Sequence, residues 1–140
     1  MDRAIRTQMW AAALLTTLVL SAVACGPRPE QPLLEDFFAK SQAGDKAGLQ
    51  RFATVIFEPG RDGVMSSFSI RSVTSSRRPM VAGGELLVKD VVIDARVRLP
   101  GGSNARKNMV VKLQQALPRG AQERADQWVV TDVTDAASPP

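Results

Sequence analysis

The sequence predicts an α+β domain in which N-terminal helices pack on an antiparallel sheet of about four strands. Three observations predict it. Apolar residues recur at helical spacing near the start of the domain, the spacing becomes alternating from residue 68 onward, and turn residues separate the alternating segments. A chain of 140 residues, with 44% apolar and 23% charged residues, has the composition of one globular domain.

The first 24 residues have the pattern of a secretory signal, and we predict a signal-peptide helix there. Arg3 and Arg6 form a short basic head, residues 7–24 carry no charge, and residues 9–20 are mostly apolar. Small residues at 21–24 lead to Cys25, the only cysteine of the chain. An uncleaved membrane anchor and an ordinary cleavage site with an incidental Cys25 are the alternatives.

Small residues directly before a cysteine resemble the lipobox of bacterial lipoproteins, although Ala22 stands where Leu is commoner. The resemblance implies cleavage between Ala24 and Cys25 and a palmitate-type lipid on Cys25, so that the membrane becomes a partner. Two or three acyl chains hold a protein stably, whereas one chain holds it marginally. The implied location is the cell envelope, and Gly26 in place of Asp favours the periplasmic side of the outer membrane over the inner membrane.

Composition shifts predict the order of the remaining segments. Residues 25–32 form a proline-rich tether, because three prolines in six residues keep the backbone extended. Residues 33–134 form the folded domain, and residues 135–140 form a disordered tail.

Two helices are predicted to open the domain. Gly44 is expected to end the first helix, and Asp45 is expected to cap the second. The second helix is predicted to extend to Ile56, before the turn residues at 59–63. The apolar stripes of the two helices consist of Leu33, Leu34, Phe37 and Phe38 in the first and Leu49, Phe52, Ala53 and Ile56 in the second.

Alternation of apolar and polar residues then predicts the strands. A short strand includes Phe68 and Ile70, and the polar residues 74–79 are expected to form a loop. Residues 85–99 alternate most clearly and are followed by a turn at 100–104. The next strand includes residues 109–114, a turn follows at 118–120, and a last strand covers residues 127–133. The apolar face of the clearest strand is formed by Val91, Ile93, Ala95, Val97 and Leu99, and the opposite face by Asp90, Asp94, Arg96 and Arg98.

This order of elements, with the Gly44–Asp45 junction and a last strand opened by residues 128–130 (Trp-Val-Val), resembles the NTF2-like and cystatin-like group. The resemblance implies a curved sheet that wraps the long helix around a cone-shaped pocket, and frequent dimers. A simple α/β sandwich without a pocket is the alternative.

The residue types present exclude most reactive chemistry. The chain has no His and no Tyr, and one Cys, so it lacks imidazole metal ligands, imidazole-activated nucleophiles and cysteine zinc sites. No catalytic residue, metal or cofactor is predicted. The carboxylates considered as an acid–base group are Asp90, Asp94 and Asp132, for which a structural or solvated role is favoured. A pocket or partner surface could include Trp128, Asp94 and Arg96, although a core or rim position is favoured for Trp128.

Three functions stay open. The first is a lipid-anchored envelope protein whose non-catalytic domain binds a small hydrophobic ligand or a partner protein. The second is an assembly subunit of an envelope complex that docks through a strand edge. The third is a small acid–base enzyme that uses Asp94 or Asp132. Nucleic acid is excluded as a partner, because the net charge of +4 is mild and spread out.

Overall fold

The computed structural model describes residues 28–136, and it confirms the α+β class. Ala24 and Cys25 therefore lie outside the described residues. Two helices and a short 3₁₀ turn accompany one antiparallel sheet of four strands in the order β1-β2-β3-β4. The elements are α1 Gln31–Ala43, α2 Lys46–Leu49, β1 Val64–Pro79, β2 Glu85–Arg98, β3 Asn104–Leu117, the 3₁₀ turn Ala125–Gln127 and β4 Val129–Asp135.

Helix α1 begins at Gln31, two residues inside the segment that the sequence assigned to the tether. Pro32 occupies the first turn, where a missing backbone N–H leaves no hydrogen bond unmade. Gly44 ends the helix as predicted, with a left-handed φ of 67°, and its N–H donates to the carbonyl of Ser41.

The second helix is much shorter than predicted. Asp45 caps it as expected, since the N–H of Gly48 donates to its carboxylate at 2.9 Å, but the helix ends at Leu49. Beyond it, the backbone turns to pair with the start of β4: the N–H of Val130 donates to the Phe52 carbonyl, and the N–H of Thr54 donates to the Val130 carbonyl. The predicted extension to Ile56 was wrong because these sheet bonds replace the helical ones.

Strand β1 is much longer than predicted, and the expected loop at residues 74–79 is part of it. The polar segment pairs along its whole length with β2, from Thr74 opposite Asp90 to Pro79 opposite Glu85. The strongly patterned β2 strand thus sets the conformation of a partner whose own sequence has little β pattern. Strands β2, β3 and β4 fall close to their predicted positions.

One face of the sheet carries the hydrophobic core, and we call it the inner face. As predicted, alternate residues of β2 point to it, and Val91, Ile93 and Ala95 are fully buried. Helix α1 packs on this face through Leu34 and Phe37, which fill the space between helix and sheet. The opposite, outer face carries the predicted charged residues of β2, and no helix of the described region packs on it.

Candidate functional site

An arginine cluster on the outer face surrounds one carboxylate, that of Asp94 on β2. Arg106 on β3 donates to it through both Nε, at 2.8 Å, and Nη2. Arg71 of β1 donates from the other side at 3.1 Å. Arg71 follows the inward-facing Ile70, so alternation places it on the outer face, and a β-bulge lies beside it between Ile70 and Ser72. The carboxylate of Asp94 is consequently only 8% exposed, although the arginines around it are open to solvent.

The same cluster holds cations that have no carboxylate partner within residues 28–136. Arg96 lies directly opposite Arg106 in the pairing of β2 with β3, and Arg98 lies opposite Asn104. Neither Arg96 nor Arg98 forms an ion pair there, whereas Asp90, on the same face, lies 3.4 Å from the Lys112 ammonium. The cross-strand ion pairs predicted for this face therefore form at both aspartates, and the outer face keeps an excess of positive charge.

Hydrogen bonds from Arg106, followed by the charges of Arg106 and Arg71, lower the pKa of Asp94 below its usual 3.8, against the opposing effect of burial. We expect Arg106→Ala to raise the pKa of Asp94 toward 3.8, and Arg71→Ala to raise it less, because Arg106 makes the larger contribution. Carbon-detected NMR titration of the aspartate carboxyl groups measures both shifts. Equal shifts in the two variants would contradict the assigned order.

A second cluster lies on the inner face at the other end of the sheet. The Lys89 ammonium donates to Glu30 at 2.9 Å, lies 3.3 Å from Glu123, and stands 4.5 Å above the ring of Trp128. Burial acts to lower the pKa of Lys89, but the hydrogen bonds and charges of Glu30 and Glu123 outweigh it and raise this pKa. The cluster joins the start of α1 to the segment before β4, and it holds the charge firmly on Lys89.

Trp128 therefore belongs to a different surface from Asp94 and Arg96. Its side chain is 5% exposed and lies in the core, where it lines a small cavity of about 90 Å³ beside Lys89 and Leu33. Asp94 and Arg96 lie on the outer face. The structure brings Asp94 and Arg96 together in one cluster and separates Trp128 from them by the thickness of the sheet.

Asp132, the third carboxylate considered for acid–base chemistry, borders an open cleft between β4 and the segment before β1. The cleft has a volume of about 340 Å³, and Arg61, Asp62, Lys107 and Asp135 also line it. Its charges pair with each other: Arg61 lies 2.8 Å from Asp62, and Lys107 lies 3.2 Å from Asp135. Hydrogen bonding to Arg61 lowers the pKa of Asp62. The cleft is polar and nearly self-neutralised.

Sequence reasoning missed the Lys89 cluster and the role of Arg71. Lys89 could have been noticed, because it interrupts the apolar positions Leu87 and Val91 on the inward-facing side of β2. Glu30, its partner, lay in the supposed tether. Alternation with Phe68 and Ile70 does direct Arg71 outward, but its contact with Asp94 depends on the strand register and on the adjacent bulge, which alternation does not encode.

Comparison of the chain with protein-family models, curated proteins and solved structures finds no match. Within residues 28–136, no group of three or more acidic or cysteine side chains is arranged to hold a metal ion. No helix in that part of the chain is long and apolar enough to cross a membrane.

Proposed function

We propose that the chain is a lipid-anchored cell-envelope protein whose α+β domain acts by binding, not by catalysis. The anchor rests on the lipobox-like sequence that ends at Cys25 and on the basic and apolar segments before it. The binding role rests on one structural observation: the outer face of the sheet carries an exposed arginine cluster whose Arg96 and Arg98 have no partner within the described residues.

The environments of the candidate carboxylates support binding over acid–base catalysis. A general base that works near neutral pH needs a raised pKa, and the pKa of Asp94 is lowered by its arginine neighbours. Asp90 is paired with Lys112. Asp132 borders an open cleft in which other charges of both signs pair with each other.

We expect the ligand to bind on the surface of the domain, because side chains fill its core. Leu34, Phe37, Val91 and Val111 are each 0% exposed and occupy the space between α1 and the sheet, where a cone-shaped pocket would lie. This filling favours a polar ligand or a partner protein over a small hydrophobic ligand. An NTF2-like or cystatin-like fold remains part of the proposal, supported by helices that precede a four-stranded antiparallel meander.

A second candidate function is that of an assembly subunit, and the β1 edge favours it. Strand β1 has 16 residues, forms one edge of the sheet, and is exposed over most of its second half. Its last bulge is at Arg71, so the following residues present a regular backbone to which a partner strand, or a second copy of this chain, can add. In either function, the proposed site of action is the outer membrane, on its periplasmic side.

The anchor is tested by metabolic labelling with an alkyne analogue of palmitate in the full chain and in Cys25→Ser. We expect label on the wild-type chain and none on Cys25→Ser, because the substitution removes the only thiol. Ser21→Ala is a matched control that keeps the cysteine and is expected to be labelled like wild type. Equal labelling of the wild-type chain and Cys25→Ser would overturn the proposed anchor.

A further inference from the structure

We propose that Arg96 and Arg106, with Ser66 and Asn104, form a binding site for a phosphate group on the outer face of the sheet. The proposal gives the binding function a ligand class and rests on that function. It concerns one defined place, the surface between β2 and β3 near the turn that joins them.

The outer face has a depression at this place, and its lining suits an anion. A shallow depression of about 490 Å³ is lined by Ser66, Arg96, Asn104, Ala105 and Arg106. Its polar side chains are two guanidinium groups, a hydroxyl and an amide, all of which can donate hydrogen bonds. No carboxylate lines it, in contrast to the cleft beside Asp132, where acidic and basic groups are mixed. A surface of donors with excess positive charge selects an anion.

The register of β2 and β3 brings the two arginines of the site together. Arg96 and Arg106 are direct partners across β2 and β3, which places their β-carbons about 5 Å apart. Two like charges in this position repel each other, and Asp94 directly neutralises the Arg106 side only. An anion held between the two guanidinium groups removes the remaining repulsion. Asp94 also fixes the orientation of Arg106 in advance, since it accepts from both Nε and Nη2.

The number and directions of the donors favour phosphate over a carboxylate. The Asp94 carboxylate already accepts from Nε and Nη2 of Arg106 and from Nη2 of Arg71, so Arg96 and the remaining Nη1 of Arg106 are the guanidinium donors of this place left for a ligand within the described residues. A second arginine opposite the first, with a hydroxyl and an amide beside it, can surround a tetrahedral ion that has several acceptor oxygens. A phosphate monoester, with a charge between −1.5 and −2 near neutral pH, matches the excess of positive charge.

The position of the site leaves two sources for that phosphate. Arg96 lies seven residues along β2 from Lys89, which contacts Glu30, so the site lies about 23 Å along the sheet from the residues that precede α1. A free phosphate in solution reaches the site whatever the orientation of the domain relative to the membrane. A lipid headgroup of the anchoring membrane reaches it when the sheet lies along the bilayer. Inorganic phosphate represents the free source, and glycerol 3-phosphate, which is phosphatidic acid without its acyl chains, represents the lipid source.

The test is calorimetric titration of the full chain, purified in a nonionic detergent, with each of these two compounds. We expect saturable binding to the wild-type chain that weakens with added salt. We expect Arg96→Ala to weaken it about tenfold or more, the effect of losing a charge-assisted hydrogen bond. Arg96→Lys keeps the charge but not the planar fork and is expected to recover only part of the affinity. Tighter binding of glycerol 3-phosphate identifies an esterified source, and tighter binding of inorganic phosphate identifies a free one.

Arg78→Ala is the matched control, because it removes the same charge from the other end of the outer face, where Arg78 pairs with Leu86. It is expected to leave phosphate binding unchanged. Absence of saturable binding, or equal losses in Arg96→Ala and Arg78→Ala, would overturn the site. The labelling of Cys25 is independent of this titration, so a labelled chain that does not bind phosphate refutes this site and leaves the anchor intact.

Discussion

Phe37→Ala is expected to lower the free energy of unfolding by about 3–5 kcal/mol, the range for emptying a phenylalanine site in a core. The Phe37 side chain is 0% exposed and meets the Phe38 ring edge-on at 5.1 Å. The loss is large against the 5–15 kcal/mol that stabilises a typical domain. Urea denaturation of the full chain, followed by tryptophan fluorescence, measures it, since Trp128 belongs to the same core cluster.

The control for this substitution is Phe52→Ala, which removes the same side chain from a half-buried position at the edge of the core. Its loss is expected to be clearly smaller, because the phenyl ring of Phe52 already contacts solvent. A loss below about 1 kcal/mol in Phe37→Ala would mean that α1 does not close the inner face as described.

The sequence predicted those elements whose own residues have a local pattern or capping chemistry. Strand β2 has four consecutive alternating apolar positions from Val91 to Val97, and it lies at Glu85–Arg98, within the predicted residues 85–99. Gly44 and Asp45 supply local capping chemistry that operates as expected. The second half of β1 has no such pattern. It becomes a strand because β2 provides a partner, and no local feature of residues 74–79 encodes that pairing.

The same distinction applies to the candidate site. Asp94 and Arg96 are two residues apart on a strand, so a shared face follows from alternation alone. Their partners come from β1 and β3, and the residues in contact are set by strand register and by the bulge beside Arg71. For Trp128 the sequence favoured a core position over a binding surface, and the chain path from the 3₁₀ turn places its side chain in the core.

The charged cluster around Lys89 and the one around Asp94 lie on opposite faces of the sheet and have different roles. On the inner face, Lys89, Glu30 and Glu123 satisfy one another and contribute to the fold. On the outer face, the single carboxylate of Asp94 pairs with both Arg71 and Arg106, and Arg96 has no carboxylate partner within residues 28–136. The outer cluster therefore keeps an excess of positive charge for a ligand, whereas the inner cluster has none. This contrast is why the proposed binding site lies on the outer face although the inner cluster is more buried.

Lys89→Met is expected to destabilise the chain by about 3 kcal/mol, because it leaves the buried carboxylate of Glu30 without its cation. The Lys89 side chain is 14% exposed and that of Glu30 is 8% exposed, so solvent screens neither well. The raised pKa of Lys89 gives the interaction a definite pH dependence. Its contribution is complete below the unfolded-state pKa near 10.5 and disappears as the pH rises through the higher folded-state value. Urea denaturation at pH 7 measures the loss.

The double variant Lys89→Met/Glu30→Gln separates the cost of an unpaired Glu30 carboxylate from the loss of the contact between the Lys89 ammonium and the Trp128 ring. Removing the carboxylate charge is expected to restore most of the stability, since a buried ion pair contributes little beyond the penalty of breaking it. Lys112→Met is the matched control. It breaks the more exposed pair with Asp90 and is expected to change stability by less than about 1 kcal/mol. If the double variant is as unstable as Lys89→Met, the loss comes from the contact of the Lys89 ammonium with the Trp128 ring, and the ion pair does not fix the start of α1.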